Sequence, residues 1–396
     1  MKIGIIGQGA SGTILAIMLK RDYPDLDITV FDHNDKTNKK LLATGNGRCN
    51  LGNLDLNFNS YNNEFAKNTV KQFNIIKQRE FFDSIGIATR TLGNLVYPFS
   101  LSSNQVVSYL NKYMKELKIR LINDAYPSYY KASENDVEVS LKNKVYKFDK
   151  LVFATGGKST PNLGSTGDLF KMFKEHKYKI VDLKPGLAPV EVVENVKGIE
   201  NERLKGKVSL YIDKDKKYEE EGEVLIKKNG LSGISIFNCN SIINRNKKGK
   251  KTRIVIDLFP ELTVEQLVSK FDKYTDLTGF SFLEGVFSIK MAEFIRKNSR
   301  AKNLLKFDSR DIKNIAEYCK NVEFTYKNSY GFDNSQVTLG GISLDNLNED
   351  FSSKIEPNVY MIGEMVDVDG LCGGYNLMFA FASAKQVYNS ISKLFK

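Results

Sequence analysis

The chain has 396 residues, of which 41% are hydrophobic and 27% charged, and it carries a formal net charge of +11. That length holds two or three domains with a proper core, and no apolar stretch approaches the roughly 18 residues a bilayer crossing needs, so no membrane partner is expected. Four widely spaced cysteines, Cys49, Cys239, Cys319 and Cys372, form no C-x-x-C, which excludes a disulfide framework and a zinc site and points to the reducing cytoplasm.

Lys2 to Ile6 reads as a short apolar strand. Gly7-Gln8-Gly9-Ala10-Ser11-Gly12 follows, a G-x-G-x-x-G, and then a helix through Ile14, Leu15, Ile17, Met18 and Leu19. A second strand, Ile28 to Phe31, ends on Asp32, next to His33. An acid about 20 residues past the last glycine is the spacing of the dinucleotide fingerprint. Gly7 serves the tight turn, Gly9 lets backbone approach a pyrophosphate, and Gly12 lets helix and strand pack closely. The free N–H groups at Ala10 and Ser11 and the positive helix end face the phosphates. Asp32 accepts from the adenosine ribose. Both NAD and FAD contain this ADP half, so the fingerprint alone leaves the two open.

Asn38 to Asn53 is a glycine- and asparagine-rich loop carrying Lys39, Lys40 and Arg48, a composition that presents backbone N–H groups and cations to an anion. Glu64 to Ile85 and Ser103 to Leu117 have helical spacing, Ile119 to Asn123 reads as a strand, and Val137 to Phe148 as a hairpin. Leu151 to Gly157 is a buried strand ending in glycines. From Pro189 the pattern becomes strand-like, with runs at Val190–Val193, Lys207–Ile212, Gly222–Ile226, Ile234–Phe237 and Arg253–Leu258. The basic run Asn246 to Lys251 reads as a solvated hairpin tip. Because lysine and asparagine are abundant throughout, the positive charge reads as surface composition, and nucleic acid is not an expected partner. Beyond Pro260 the pattern is helical, with Thr263 as N-cap and further helices near Glu284–Asn298 and Ser309–Cys319. The closing helix, Leu377 to about Lys393, is apolar nearly all round at its start and so is expected to be buried.

Thr44-Gly-Asn-Gly-Arg-Cys-Asn50 resembles the GGGRCN signature of the BaiN/YhiN-type FAD-dependent oxidoreductases, some members of which are known as aminoacetone oxidases. The resemblance extends along nearly the whole chain. It includes Gly93 to Pro98, the ATGG-like Ala154-Thr155-Gly156-Gly157 with its continuation Lys158 to Asp168, Gly230 to Gly233, Val337 to Ile342, and Asp367 to Leu377. The chain departs from the family pattern at Asn94, usually Arg, at Lys227 and Lys228, usually Thr-His, at Ile234, usually Pro, and at Cys372, usually Thr.

The resemblance implies an α/β fold: a Rossmann-like FAD-binding domain of glutathione-reductase type over 1–188 and 331–396, with an inserted β-rich domain over 189–260 and an inserted helical domain over 261–330. It implies FAD as cofactor, running along Lys39, Lys40, Gly47, Arg48, Cys49 and Asn50, with Ala125 and Tyr126 near the adenine. Ala154 to Gly157 would close over it. Gly363 and Glu364 would meet its ribityl–phosphate region, and Gly373, Gly374, Tyr375, Asn376 and Leu377 would face its ring. No second G-x-G-x-x-G unit, no redox cysteine pair and only two histidines, His33 and His176, occur. The expected redox group is therefore the flavin, without a metal, acting on a small-molecule substrate with O2 or NAD(P)H as redox partner. Either an amine oxidase or an NAD(P)H-fed reductase fits; a flavin-dependent RNA-modifying enzyme and a non-catalytic flavin-binding protein are the alternatives. Tyr375, Cys372, Arg48 and Lys228 are candidates to line the site, none with an assigned catalytic role.

Overall fold

Strands flanked on both faces become continuous apolar runs. Lys2–Ile6 (β1) and Asp27–Phe31 (β2) are each exposed at their first residue and buried at the next four. Arg120–Ile122 (β3), Lys150–Phe153 (β4) and Val359–Met361 (β5) complete a sheet of order β5-β4-β1-β2-β3, parallel at every pairing. The computed structural model describes residues 1–55, 58–142, 144–246, 251–278, 282–301 and 307–395. These form two compact units, Met1–Pro185 with Ser335–Lys396, and Gly186–Asn334.

In the first unit, Ala10–Asp22 (α1) is buried from Ser11 through Leu19, and Tyr375–Ser392 (α2) packs against it. The closing helix thus shares a core with the opening one. Its expected burial holds: most of its residues, Met378 to Ala384 among them, are buried. Register aligns Ile6 with Phe153 and Phe153 with Met361. Gly7, Ala154 and Ile362 consequently leave the sheet side by side at its carboxyl edge, where open α/β sheets place their ligands. This is a Rossmann-type architecture. A three-stranded antiparallel sheet, Pro127–Ala132, Val137–Leu141 and Lys144–Phe148, adds one strand to the expected hairpin. A smaller sheet joins Gly52–Asn53, Leu95–Pro98 and Thr89–Leu92.

The helix expected over Glu64 to Ile85 is two helices, Glu64–Gln72 and Ile75–Ser84. The cause is Asn74, whose side chain accepts from the Ile76 and Lys77 amides and starts a new helix.

In the second unit, six strands close into a barrel in the order Val190–Val192, Gly230–Ser232, Asp215–Lys227, Arg203–Ile212, Thr252–Asp257 and Val322–Ser329. The run Ile234–Phe237, expected as a strand, is instead the first turn of the helix Ile234–Arg245. Gly233, at φ +124°, ends the preceding strand. Ile236 and Cys239 then fall one helical turn apart on the buried side. The basic run therefore follows a helix rather than a strand, and residues 247–250 of it lie outside the described residues. Thr263 caps Val264–Thr278 as expected: its Oγ1 accepts from the Gln266 amide, and Gln266 Oε1 accepts from the Thr263 amide. Barrel residues such as Val208 and Ile254 share one core with Leu267, Phe271 and Ile315 of the helices.

Candidate cofactor site

The three glycines of the first loop meet different demands. Gly7 stands at φ +109°, and a Cβ there would lie 2.3 Å from the Ala154 carbonyl oxygen. A Cβ on Gly12 would lie 2.1 Å from the Gly7 carbonyl oxygen. Gly9 has nothing within 4 Å of where its Cβ would be. Packing therefore requires the first and third glycines, while the second borders open space. No side chain caps α1 at Gly9, so the amides of its first turn, at Ala10 and Ser11, remain for an anion.

Asp32, only 8% exposed, lies at the tip of β2. Its Oδ2 accepts from the Gln8 amide at 2.8 Å, and its Oδ1 from the Asn34 amide at 2.9 Å and Asn34 Nδ2 at 3.1 Å. Asn34 Oδ1 in turn accepts from Lys39 Nζ at 3.0 Å. The His33 ring stands edge-on to Tyr126 at 6.1 Å. Burial, and then the Asp168 charge, push the Tyr126 phenol above its ordinary range. One cleft is lined by Gly7, Asp32, His33, Tyr126, Gly156 and Asp168, with Ala125, Thr155 and Gly157 also at its wall.

The far wall is tied down by hydroxyls. Thr338 Oγ1 accepts from the amides of Lys158 and Ser159 at 2.7 and 2.9 Å. Ser159 Oγ lies 3.0 Å from Thr338 Oγ1 and accepts from Ser335 Oγ at 2.8 Å. Gly157 leaves room for this contact: its Cβ would lie 2.2 Å from Thr338 Oγ1. Glu364 accepts from the Thr338 amide at 2.9 Å and pairs with Lys40 Nζ at 2.5 Å. Gly363 fits against Ser11 of α1, whose Oγ would lie 2.5 Å from a Cβ. Ala154 is buried and donates to the Ile6 carbonyl.

At the other end, the backbones of Gly374 and Gly52 touch; a Cβ on Gly374 would lie 2.7 Å from Gly52 Cα. Asn376 clamps the turn before α2, its Oδ1 accepting from the Gly370 amide at 2.9 Å and its Nδ2 donating to the Gly370 carbonyl at 2.8 Å. Asn53 Nδ2 donates to the Gly373 carbonyl at 3.1 Å. Tyr375 is buried, edge-on to Tyr61 at 5.7 Å, and Tyr61 Oη donates to the Tyr375 carbonyl at 2.8 Å. Burial holds the Tyr61 phenol well above its ordinary range, so it remains a neutral donor. Cys372 and Leu377 are half-buried. Cys49 is fully buried at φ +60°, and burial pushes its thiol up to about 11 against a hydrogen bond from Thr44 that acts the other way. Gly47 and Arg48 are exposed, and Asn50 half-buried.

The fold thus gathers the adenosine-side candidates in one cleft and places Lys40 with Glu364. The Lys39 to Asn50 stretch lies outside that cleft. In the second unit, Lys227 and Lys228 lie at the turn into Gly230–Ser232, with Lys228 exposed. Sequence reasoning did not select Asn34, Ser159, Ser335, Thr338 or Tyr61; only the Val337–Ile342 and Lys158–Asp168 motifs hinted at two of these segments. Among the described residues, no group of three or more His, Cys, Asp or Glu side chains is placed to hold a metal, and no helix is long and apolar enough to cross a membrane. A dinucleotide fits this arrangement: the space beside Gly9 is open, and the cleft at Asp32 reaches Gly7 of the same loop.

With its Rossmann-type unit, in which the first helix packs on the buried last one, the chain falls by its family and relatives in the class of flavin-dependent oxidoreductases. The family model described as the HI0933-like protein Rossmann domain matches residues 1–389, and the chain belongs to that family. It is 30% identical to a 3-dehydro-bile acid delta(4,6)-reductase of Clostridium scindens, over 96% of this chain and 97% of that one. It is 25% identical to a ribosomal RNA dihydrouridine synthase of Haemophilus influenzae, over 98% of each chain. It is 24% identical to the enzyme of the same name from Escherichia coli, over 96% and 95%. Among solved structures, a 3-ketosteroid-delta4-(5alpha)-dehydrogenase of Rhodococcus jostii aligns with a TM-score of 0.48 at 12% identity, covering 98% of this chain and 96% of that one. That likeness is too distant to bear on function.

Proposed function

We propose that the chain is an FAD-dependent reductase that saturates a carbon–carbon double bond conjugated to a carbonyl on a small organic molecule, with NAD(P)H as electron source, in the cytoplasm. The observation that carries this reading is the end-to-end pairing with a delta(4,6)-reductase. The two more distant relatives named dihydrouridine synthases support it. The uracil 5,6-double bond is itself conjugated to a carbonyl, so the three names share one type of reaction.

Gly7, Gly9, Gly12 and the first turn of α1 would hold the pyrophosphate. Asp32 would hold the adenosine ribose, with His33, Ala125 and Tyr126 bordering the adenine. Lys39, Lys40, Gly47, Arg48, Cys49 and Asn50 would line the extended cofactor, as would Ala154 to Gly157, Gly363 and Glu364. Bound FAD would supply two-electron redox chemistry, by which the double bond gains a hydride originating from the nicotinamide at its β-carbon and a proton from solvent at its α-carbon. Gly373 and Gly374, with Tyr375, Asn376 and Leu377, would hold the ring before the positive end of α2, where negative charge on it is favoured.

The test is anaerobic. NADH or NADPH should bleach the flavin, and an α,β-unsaturated ketone should restore its colour. Bleaching by an amine alone would replace this reading with the oxidase. The net charge of +11 favours one second reading, a substrate base within ribosomal RNA. Reoxidation by an rRNA fragment but not by free enones, with binding that weakens steeply with salt, would select it.

A further inference from the structure

Two carboxylates line the cleft, Asp32 and Asp168, and they are held differently. Asp32 is buried and accepts from three protein donors. Asp168 is exposed. It directly precedes the helix Leu169–Glu175 but caps no amide of it, because its backbone is already helical at φ −64° and ψ −32° and a capping residue is extended. Among the described residues its carboxylate enters no hydrogen bond and no ion pair. Its charge nevertheless reaches Tyr126, another residue of the cleft wall: burial first, and then Asp168, raise the Tyr126 phenol, which stays a neutral neighbour.

The segment that carries Asp168 is set in place by protein contacts. On one side, a Cβ on Gly164 would lie 2.3 Å from Asn34 Nδ2, in the side chain that also holds Asp32. On the other, Phe170 and Phe173 of the following helix are buried. Much of the remaining cleft lining is apolar, Phe31, Ala125 and Leu169 included.

An ionised carboxylate only accepts hydrogen bonds, and next to a phosphate it would be repelled. Toward an ADP group it therefore needs a donor. Those available are the ribose hydroxyls and the 6-amine of adenine. Asp32 takes the ribose in the FAD reading above, which leaves the amine, carried on a flat ring that suits an apolar slot.

We propose that Asp168 recognises the adenine base, its carboxylate accepting a hydrogen bond from the 6-amino group, so that the cleft selects nucleotides bearing that amine. The inference rests on the FAD reading and adds to it the residue that reads the base.

The test is Asp168→Ala, with FAD, ADP and purine riboside 5′-diphosphate, which lacks only the amine, titrated separately into apoprotein by calorimetry. Wild-type protein should bind the amine-free nucleotide about five- to tenfold more weakly than ADP, the worth of one hydrogen bond. The variant should lose the same factor for ADP and FAD and nothing for the amine-free nucleotide, so the two deletions are not additive. Its apo melting temperature should match wild type, since Asp168 holds no protein partner. Should the alanine protein not fold, Asp168→Asn answers the same question, with a loss of about two- to threefold for ADP alone. Unchanged ADP affinity, or an equal loss for both nucleotides, overturns the proposal. Wild-type protein that binds neither FAD nor ADP removes the FAD reading itself, a result separable from any behaviour of the variants.

Discussion

Exchanging Gly9 and Gly12 for alanine, one at a time, separates a glycine required by a ligand from one required by the fold. At Gly12 the new methyl would lie 2.1 Å from the Gly7 carbonyl oxygen, so main chain must move by about an ångström. Overpacking of that kind costs roughly 1–3 kcal/mol. At about 2–4 °C per kcal/mol for a unit of this size, the apoprotein should melt roughly 2–12 °C lower. At Gly9 the methyl meets no protein atom within 4 Å, and the backbone, at φ −95° and ψ −166°, already suits alanine. The gain from a less flexible unfolded chain and the poorer N-cap nearly offset each other, so the apo stability should change by less than about 1 kcal/mol. FAD binding should nevertheless fall at least about tenfold, because the methyl fills the space the pyrophosphate needs. Differential scanning fluorimetry of apoprotein and the ratio of flavin to protein absorbance after reconstitution measure both effects. A Gly9→Ala protein that melts normally and binds FAD at wild-type affinity would refute the reasoning.

Other consequences are equally direct. Glu356 accepts from Tyr130 at 2.5 Å and Tyr178 at 2.9 Å and lies 2.7 Å from His176 Nδ1; Glu356→Leu strands these partners and should cost about 3–5 kcal/mol in urea unfolding, with Glu356→Gln milder. For Cys49, the folded thiol titrates at about 11 against an ordinary 9.0. Its contribution is therefore full below pH 9 and lost as pH rises toward 11; the loss, up to roughly 2–3 kcal/mol, should vanish from the unfolding free energy of Cys49→Ala compared at pH 8.5 and 11. In native protein at pH 8, a thiol reagent should find Cys372 first, since the other three cysteines are buried. Asn376→Ala removes both hydrogen bonds to Gly370; it should destabilise the chain by about 2 kcal/mol and speed the labelling of Cys372.

The parts of the site written in contiguous residues were legible from the start. Gly7, Gly12 and Asp32 could be read because a tight turn, a close helix–strand approach and a strand-end acid are demands met within one βαβ unit. Gly373 and Gly374 before the last helix were picked out only by the resemblance of Asp367 to Leu377 to a family motif. The two-helix break at Asn74 was equally local but was masked by the apolar spacing on either side of it. Ile234–Phe237 misled because four alternating residues fit either period, and only the barrel decides which side chains are buried.

What the residue order alone determined is the glycine-loop unit, which depends on backbone geometry over a few neighbouring residues, and the family with its flavin class, which rests on motifs spread along the chain. What only the tertiary structure decided is which polar groups hold one another. Lys40 meets Glu364, and Ser159 meets Thr338, across separations of 324 and 179 residues. Such partners are chosen by how strands and helices pack, and no local pattern of hydrophobicity or charge marks them in advance. The open carboxylate of Asp168 belongs to the same kind, since a missing partner is visible only once every possible partner has a position.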